Sequence, residues 1–440
     1  MRVLIIARSF APDSGIATVR PTKMAKYLSK MGHNVFVIRS GNITGKGDLK
    51  NLDGLEKVRI YSYEGVDSDA ERLERGECLN SPKEKKTTIK DIPVKRLGPI
   101  RRIIRFFYDP FIYYNNDGSR IKSKIIKIYD TNTEIRNIDI IISTFSPLGT
   151  IQAANIIKER ENCRWIIDFR DLMDNITFSP LLRKINARLQ DYYCRQCDAC
   201  LCVSEGTSER LKKRSMKRRK ENVYTVYNGY DQQDSTDLIL DKEGNTDPKL
   251  HICYTGTMHM GHSDSLPLFK SIMDCGLQND IVIDYAGKDG NEIKRQANTF
   301  GLESIVKDHG YLSRYDTAKL QVQSDLFLVI SWNTKNDQGI MTGKFYEALQ
   351  HKKPIIAIVS GDIPNSELAV LIKRYNLGCC YEEAEELDSY RNMKSYLCTQ
   401  CNLKKQRQHL KYEPDVTVYE KFEYGNIVKE LERILLSTNG

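Results

Sequence analysis

Short apolar runs alternate with amphipathic stretches along the whole chain. Residues 3–7 (Val3-Leu4-Ile5-Ile6-Ala7) are continuously apolar and read as a buried strand; residues 18–31 read as a helix, and residues 35–38 return to a strand-like run. Gly32, in the turn between that helix and the next run, suits a helix C-cap. Runs at 138–143, 165–168 and 199–203 continue the series, each followed by polar turn chemistry. A second series follows at 251–254, 281–286, 326–330 and 354–359, and residues 419–436 read as an amphipathic helix. This is the rhythm of βαβ units, in which parallel strands are covered by helices on both faces. Residues 44–95 are charged and turn-rich and read as an excursion from the first sheet.

A chain of 440 residues exceeds what one ordinary core supports. Residues 232–248 are polar and turn-forming and interrupt the apolar rhythm, so the boundary is placed there. The expected domains are 1–235 and 249–415, with 416–440 a terminal helix expected to cross back to the first domain. The predicted fold class is therefore α/β, two Rossmann-like doubly wound domains facing across a cleft. Ligands of such sheets bind outside the carboxyl ends of the strands, which directs attention to the loops that follow each strand.

Composition narrows the function classes. The hydrophobic fraction of 40% and charged fraction of 28% suit a soluble globular protein, and no apolar run approaches the ~20 residues of a membrane span. The first apolar run gives way to Arg8 and then Pro12-Asp13-Ser14-Gly15 with no small-residue cleavage site, so it reads as a strand and not as a signal peptide. Twelve cysteines, scattered or adjacent, fit reduced thiols in the cytoplasm. Cys194, Cys197, Cys200 and Cys202 have spacing reminiscent of zinc ligands, as do Cys398 and Cys401. Alternation within a strand, however, turns Cys200 and Cys202 into the core as small apolar residues, so no metal is expected. Charge is uneven: residues 1–235 carry 43 Lys+Arg against 29 Asp+Glu, a net +14, and the remainder is −5. The first half should therefore meet something anionic. The stretch 95–108 mixes basic and apolar residues, and 212–220 holds seven Lys/Arg in nine positions. These segments suit a peripheral contact with an anionic membrane surface; the alternative is a solvated basic face with Ile103, Ile104 and Phe107 packed inward. No aromatic-interleaved patch or recognised module supports nucleic-acid binding.

The strand-end loops carry the candidate chemistry. The loop 10–17 after the first strand lacks the Gly-x-Gly-x-x-Gly turn of dinucleotide binding, but Gly15 stands just before a helix, where a phosphate can be held. Asp168-Phe169-Arg170-Asp171 follows a strand, and its charges suit either a site or a buried ion pair. In the second half, Thr255-Gly256-Thr257 offers backbone and hydroxyl donors suited to a pyrophosphate. Gly339-Ile340-Met341-Thr342-Gly343-Lys344-Phe345-Tyr346-Glu347 runs from a loop into a helix. A cation in a helix's first turn is unfavourable unless an anion sits there. Glu347 shares a face with Lys344 and suits ribose hydroxyls; an intrahelical Lys–Glu pair is the alternative.

Together with Arg20, the segment 199–206 and Asn228-Gly229-Tyr230-Asp231, these segments resemble the GT-B glycosyltransferases of retaining family 4, in the branch that builds bacterial surface polysaccharides. The resemblance covers nearly the whole chain. It implies a GT-B fold and transfer of a sugar from a nucleotide-sugar donor, expected to be UDP-linked, to a saccharide or lipid-linked acceptor in the cytoplasm. The second domain would hold the donor: Glu347 the ribose, and Gly256, Thr257, Thr342, Gly343 and Lys344 the diphosphate, with Gly15 approaching from the first domain. Asp13 and Asp168 are catalytic candidates beside Lys344, and Arg170 and Asp171 are placed on the acceptor side. No cofactor is expected and the mechanism is metal-independent. The sequence departs from the family where Gly339 replaces the first of two glutamates, and where Met258-His259-Met260-Gly261-His262-Ser263 lacks the usual basic pair. Lys344 is expected to supply that charge, with His259 and His262 as weaker contacts. The competing readings are a non-hydrolysing nucleotide-sugar epimerase of the same fold and an inactive GT-B subunit that positions a partner.

Overall fold

The structure, a computed structural model, describes residues 1–13, 15–41, 52–63, 113–174, 180–217, 219–234, 247–258 and 264–437. The basic stretch 95–108 lies wholly outside these residues, as do Arg218, His259, His262 and most of the stretch 44–95. The chain divides into two compact units. The first comprises Met1–Val203, Thr207–Tyr227 and Val428–Gly440, and the second Ser204–Gly206 and Asn228–Ile427.

The first unit is built on seven parallel strands: β1 (Arg2–Ile6), β2 (Asn34–Arg39), β3 (Arg59–Ser62), β4 (Ile140–Phe145), β5 (Arg164–Phe169), β6 (Ala199–Cys202) and β7 (Val223–Thr225). They lie in the order β3-β2-β1-β4-β5-β6-β7. The second unit has six parallel strands: β8 (Leu250–Thr255), β9 (Ile281–Ala286), β10 (Val306–Asp308), β11 (Leu326–Trp332), β12 (Ile355–Ser360) and β13 (Gly378–Glu382). Their order, β10-β9-β8-β11-β12-β13, repeats the doubly wound pattern. In each sheet the order reverses beside the unit's first strand, which creates a crevice at the carboxyl ends of β1 and β4, and of β8 and β11.

The central strands are apolar because both of their faces are covered. Val3, Leu4, Ile5 and Ile6 of β1 have no exposed surface, nor do Ile355, Ile356 and Ala357 of β12. The helix Ile16–Lys30 ends as the sequence predicts: Gly32 takes φ +89°, its amide bonds to the Ser29 carbonyl, and the His33 amide bonds to that of Leu28. The terminal amphipathic stretch is two helices, Thr417–Lys421 and Tyr424–Ser437. Within the first unit, Glu432 of the latter helix meets the His33 ring at 2.7 Å.

Cys194, Cys197, Cys200 and Cys202 are buried in the first core. The Cys200 sulfur lies 3.5 Å from that of Cys197 and 3.9 Å from that of Cys194. Among the described residues no group of His, Cys, Asp and Glu side chains is arranged to hold a metal ion, and no helix is long and apolar enough to cross a membrane.

Candidate functional site

The second sheet's crevice collects the segments singled out after β8 and β11. Gly256 directly follows β8 and takes φ +121°, a conformation that side-chain-bearing residues rarely adopt. A Cβ there would stand 2.9 Å from the Lys344 ammonium, so the missing side chain is what lets Lys344 lie against the strand-end backbone. The Gly256 amide bonds to the Ala286 carbonyl at 2.7 Å, and its carbonyl accepts from the Tyr285 hydroxyl at 2.9 Å. The turn is therefore held from β9. Thr257 is exposed beside it.

Lys344 is the second residue of the helix Gly343–Gln350. Its ammonium sits 5.1 Å from the centroid of the Tyr254 ring, and among the described residues it forms no ion pair. The intrahelical pair with Glu347 is thus not formed. Burial lowers the Lys344 pKa, opposed in part by the Glu347 charge. Thr342 occupies the N-cap position in extended conformation, yet its side chain makes no capping bond. Its hydroxyl is buried and has no partner among the described residues. The first-turn amides of Gly343 and Lys344 have no intrahelical acceptor either. A buried hydroxyl, two helix amides and a desolvated ammonium thus converge beside a glycine turn, an arrangement complementary to an anion.

One turn further along, Glu347 is held by its Oε2 atom. That oxygen accepts from the Thr255 hydroxyl at 3.2 Å and from the Gln321 amide at 2.6 Å. Gln321 also donates to the Thr255 hydroxyl at 2.9 Å, and its own carbonyl faces the His351 Nε2 at 3.1 Å. The His351 ring stacks on Phe327, and burial, reinforced by Lys353, pushes its pKa down to about 4. Gln321 and His351 carry no motif in the sequence; only the crossing of β8 and β11 with their helices brings them to Glu347.

Gly339, where the resemblance leads one to expect a glutamate, takes φ +73°. A Cβ there would lie 2.6 Å from the Ser204 hydroxyl and 2.8 Å from the Gly206 Cα, both within the second unit. A glutamate does not fit that backbone.

The first unit holds the remaining candidates. Asp168 on β5 is fully enclosed, and both of its oxygens accept from the Arg20 guanidinium at 2.8–3.1 Å. Arg20 also donates to the Val226 and Tyr227 carbonyls at 2.8 and 2.9 Å. Of the two readings the sequence leaves for Asp168, the structure shows the ion pair: a carboxylate with no exposed surface and an arginine on both oxygens anchors the first helix. Arg170, placed on the acceptor side by the resemblance, braces the same helix. Pro21, inside the helix, has no amide to offer the Ala17 carbonyl four residues earlier, and Arg170 donates to that carbonyl at 2.9 Å instead. Asp171 is exposed. Asp13 is buried, with one oxygen accepting from the Gly15 amide at 3.2 Å. Gly15 is the N-cap of the helix Ile16–Lys30 at φ −66°, and its carbonyl accepts from both the Thr18 amide and hydroxyl.

No family model and no curated protein matches the sequence. Solved structures do resemble the fold end to end. HepE from Anabaena, crystallised with UDP and glucose, has a TM-score of 0.58 at 14% identity, with 99% of this chain and 100% of that chain covered. Sucrose-phosphate synthase from Thermosynechococcus elongatus gives 0.60 at 9% identity, covering 99% and 98%. The UDP-GlcNAc 2-epimerase of Neisseria meningitidis gives 0.54 at 12% identity, covering 99% and 100%. At these identities the likeness concerns architecture alone, and on that evidence the chain has the GT-B fold of two Rossmann-like domains.

Proposed function

We propose that this protein is a glycosyltransferase that takes a sugar from a nucleotide-sugar donor, UDP-linked, and passes it to a saccharide or lipid-linked acceptor of surface polysaccharide synthesis. The observation that carries the reading is the under-satisfied cationic pocket at the start of the helix Gly343–Gln350: the desolvated Lys344 ammonium and the orphaned Thr342 hydroxyl beside Gly256. A diphosphate supplies the charge and the acceptors that this pocket lacks.

In the proposed reaction, the acceptor hydroxyl oxygen bonds to the anomeric carbon while the bond from that carbon to the β-phosphate oxygen breaks. Attack from the leaving-group face retains the anomeric configuration, and the departing diphosphate takes the acceptor's proton. Lys344 and the helix amides stabilise the charge that builds on the diphosphate, so the reading assigns no metal. Asp13 remains the catalytic carboxylate of the proposal, with Asp171 on the acceptor side.

A nucleotide-sugar epimerase has the same fold and needs the same diphosphate grip, so incubation of the protein with UDP-sugars, with and without a saccharide acceptor, separates the two. Transfer that depends on acceptor supports the proposal; an epimerised donor formed without acceptor would replace it. A peripheral membrane contact suits a lipid-borne acceptor. Lys184, Arg188 and Arg195 on the helix Pro180–Gln196, and Lys213, Lys217 and Lys220 further on, are exposed. Binding to anionic vesicles is expected to fall steeply with salt, and binding that ignores salt would count against this contact.

A further inference from the structure

Glu347 uses its two oxygens unequally. Oε2 accepts from Thr255 and Gln321, whereas Oε1 accepts from nothing among the described residues. Gln321 is 4% exposed and spends its whole amide on this arrangement. Its Nε2 faces two oxygens, Glu347 Oε2 and Thr255 Oγ1, at 2.6 and 2.9 Å. Its carbonyl must then face His351, whose Nε2 therefore carries the proton at 3.1 Å. With the amide reversed, a carbonyl would oppose the Glu347 carboxylate, so the carboxylate sets the orientation and His351 completes it as the donor to the Gln321 carbonyl.

We propose that Gln321, hydrogen-bonded from behind by His351, is the positioning residue that pins one oxygen of Glu347 and presents the other to the vicinal hydroxyls of a ribose. The inference rests on the donor reading above and deepens it. It makes discrimination between ribose and deoxyribose a property of a side chain outside the helix that carries Glu347. A ligand diol meets a carboxylate already fixed in place, so it binds without first ordering that side chain.

The test measures affinities of the full-length protein for inorganic pyrophosphate, for the tightest of UDP, GDP, ADP and CDP, and for that nucleotide's 2′,3′-dideoxy counterpart. The wild type is expected to prefer the ribose form by at least about tenfold, the worth of charge-assisted hydrogen bonds to hydroxyls. Gln321→Leu is expected to lose that preference while keeping the affinities for pyrophosphate and for the dideoxy form, which also verifies its folding. The isosteric Gln321→Glu opposes two carboxylates at neutral pH. It should lose the preference there and regain it as acidification places a proton between them, with Lys344, Lys353 and His351 the other titratable groups nearby. Undiminished ribose preference in both variants would overturn the role of Gln321 and leave the donor reading standing. Failure of the wild type to bind pyrophosphate and every nucleotide would overturn both.

Discussion

A buried ion pair and a half-buried cation in this protein have opposite fates, and their partners decide which. Arg20 and Asp168 neutralise each other: the guanidinium engages both carboxylate oxygens, and its remaining donors reach carbonyls. Removing one member leaves the other enclosed and uncompensated, a loss of about 3–5 kcal/mol. Asp168→Asn is therefore expected to lower the urea midpoint of the first unit markedly while nucleotide binding persists. Unchanged stability with abolished transfer would return Asp168 to the chemistry. Lys344 has no such partner among the described residues. It is desolvated, sits where the helix dipole already disfavours a cation by about 0.3–1 kcal/mol, and stands beside an orphaned hydroxyl worth a further ~1–3 kcal/mol when unmet. Such a cluster makes sense when the missing partner is a ligand.

At the scale of elements, legibility followed position in the sheet. The central strands β1, β4, β5, β8, β9, β11 and β12 are buried on both faces and largely apolar, and they stand out as runs. The strands not read from the pattern, β3, β7, β10 and β13, are the four sheet edges. Edges have one neighbour and partial exposure: Arg59 and Lys307 are outward residues of a four- and a three-residue strand respectively, and their polarity masks the apolar rhythm. The helix starting at Gly343 was legible because glycine, lysine and a cap residue coincide at one strand end. Its use of Thr342 was not, since the sequence suggests a capping hydroxyl and the structure leaves that hydroxyl without a partner. The fate of Asp168 turned on Arg20, 148 residues away in sequence, and no local pattern fixes a pairing of that span. Gln321 and His351 were invisible for the same reason: each is an ordinary polar residue until the βα crossovers bring it to Glu347.

At the scale of the molecule, two sheets of like topology carry unlike strand-end loops. In the first unit the Arg20–Asp168 pair and the Arg170 bond to the Ala17 carbonyl fasten the helix after β1 to β5 and its following loop. In the second unit the crevice between β8 and β11 is lined by glycine, a lysine and an anchored glutamate. The account depends on that crevice gripping a diphosphate. Calorimetric titration of UDP into the wild type and into Lys344→Ala tests it most directly. Saturable wild-type binding that weakens by at least tenfold in a normally folded Lys344→Ala variant is the predicted result; equal affinity in both would contradict the account.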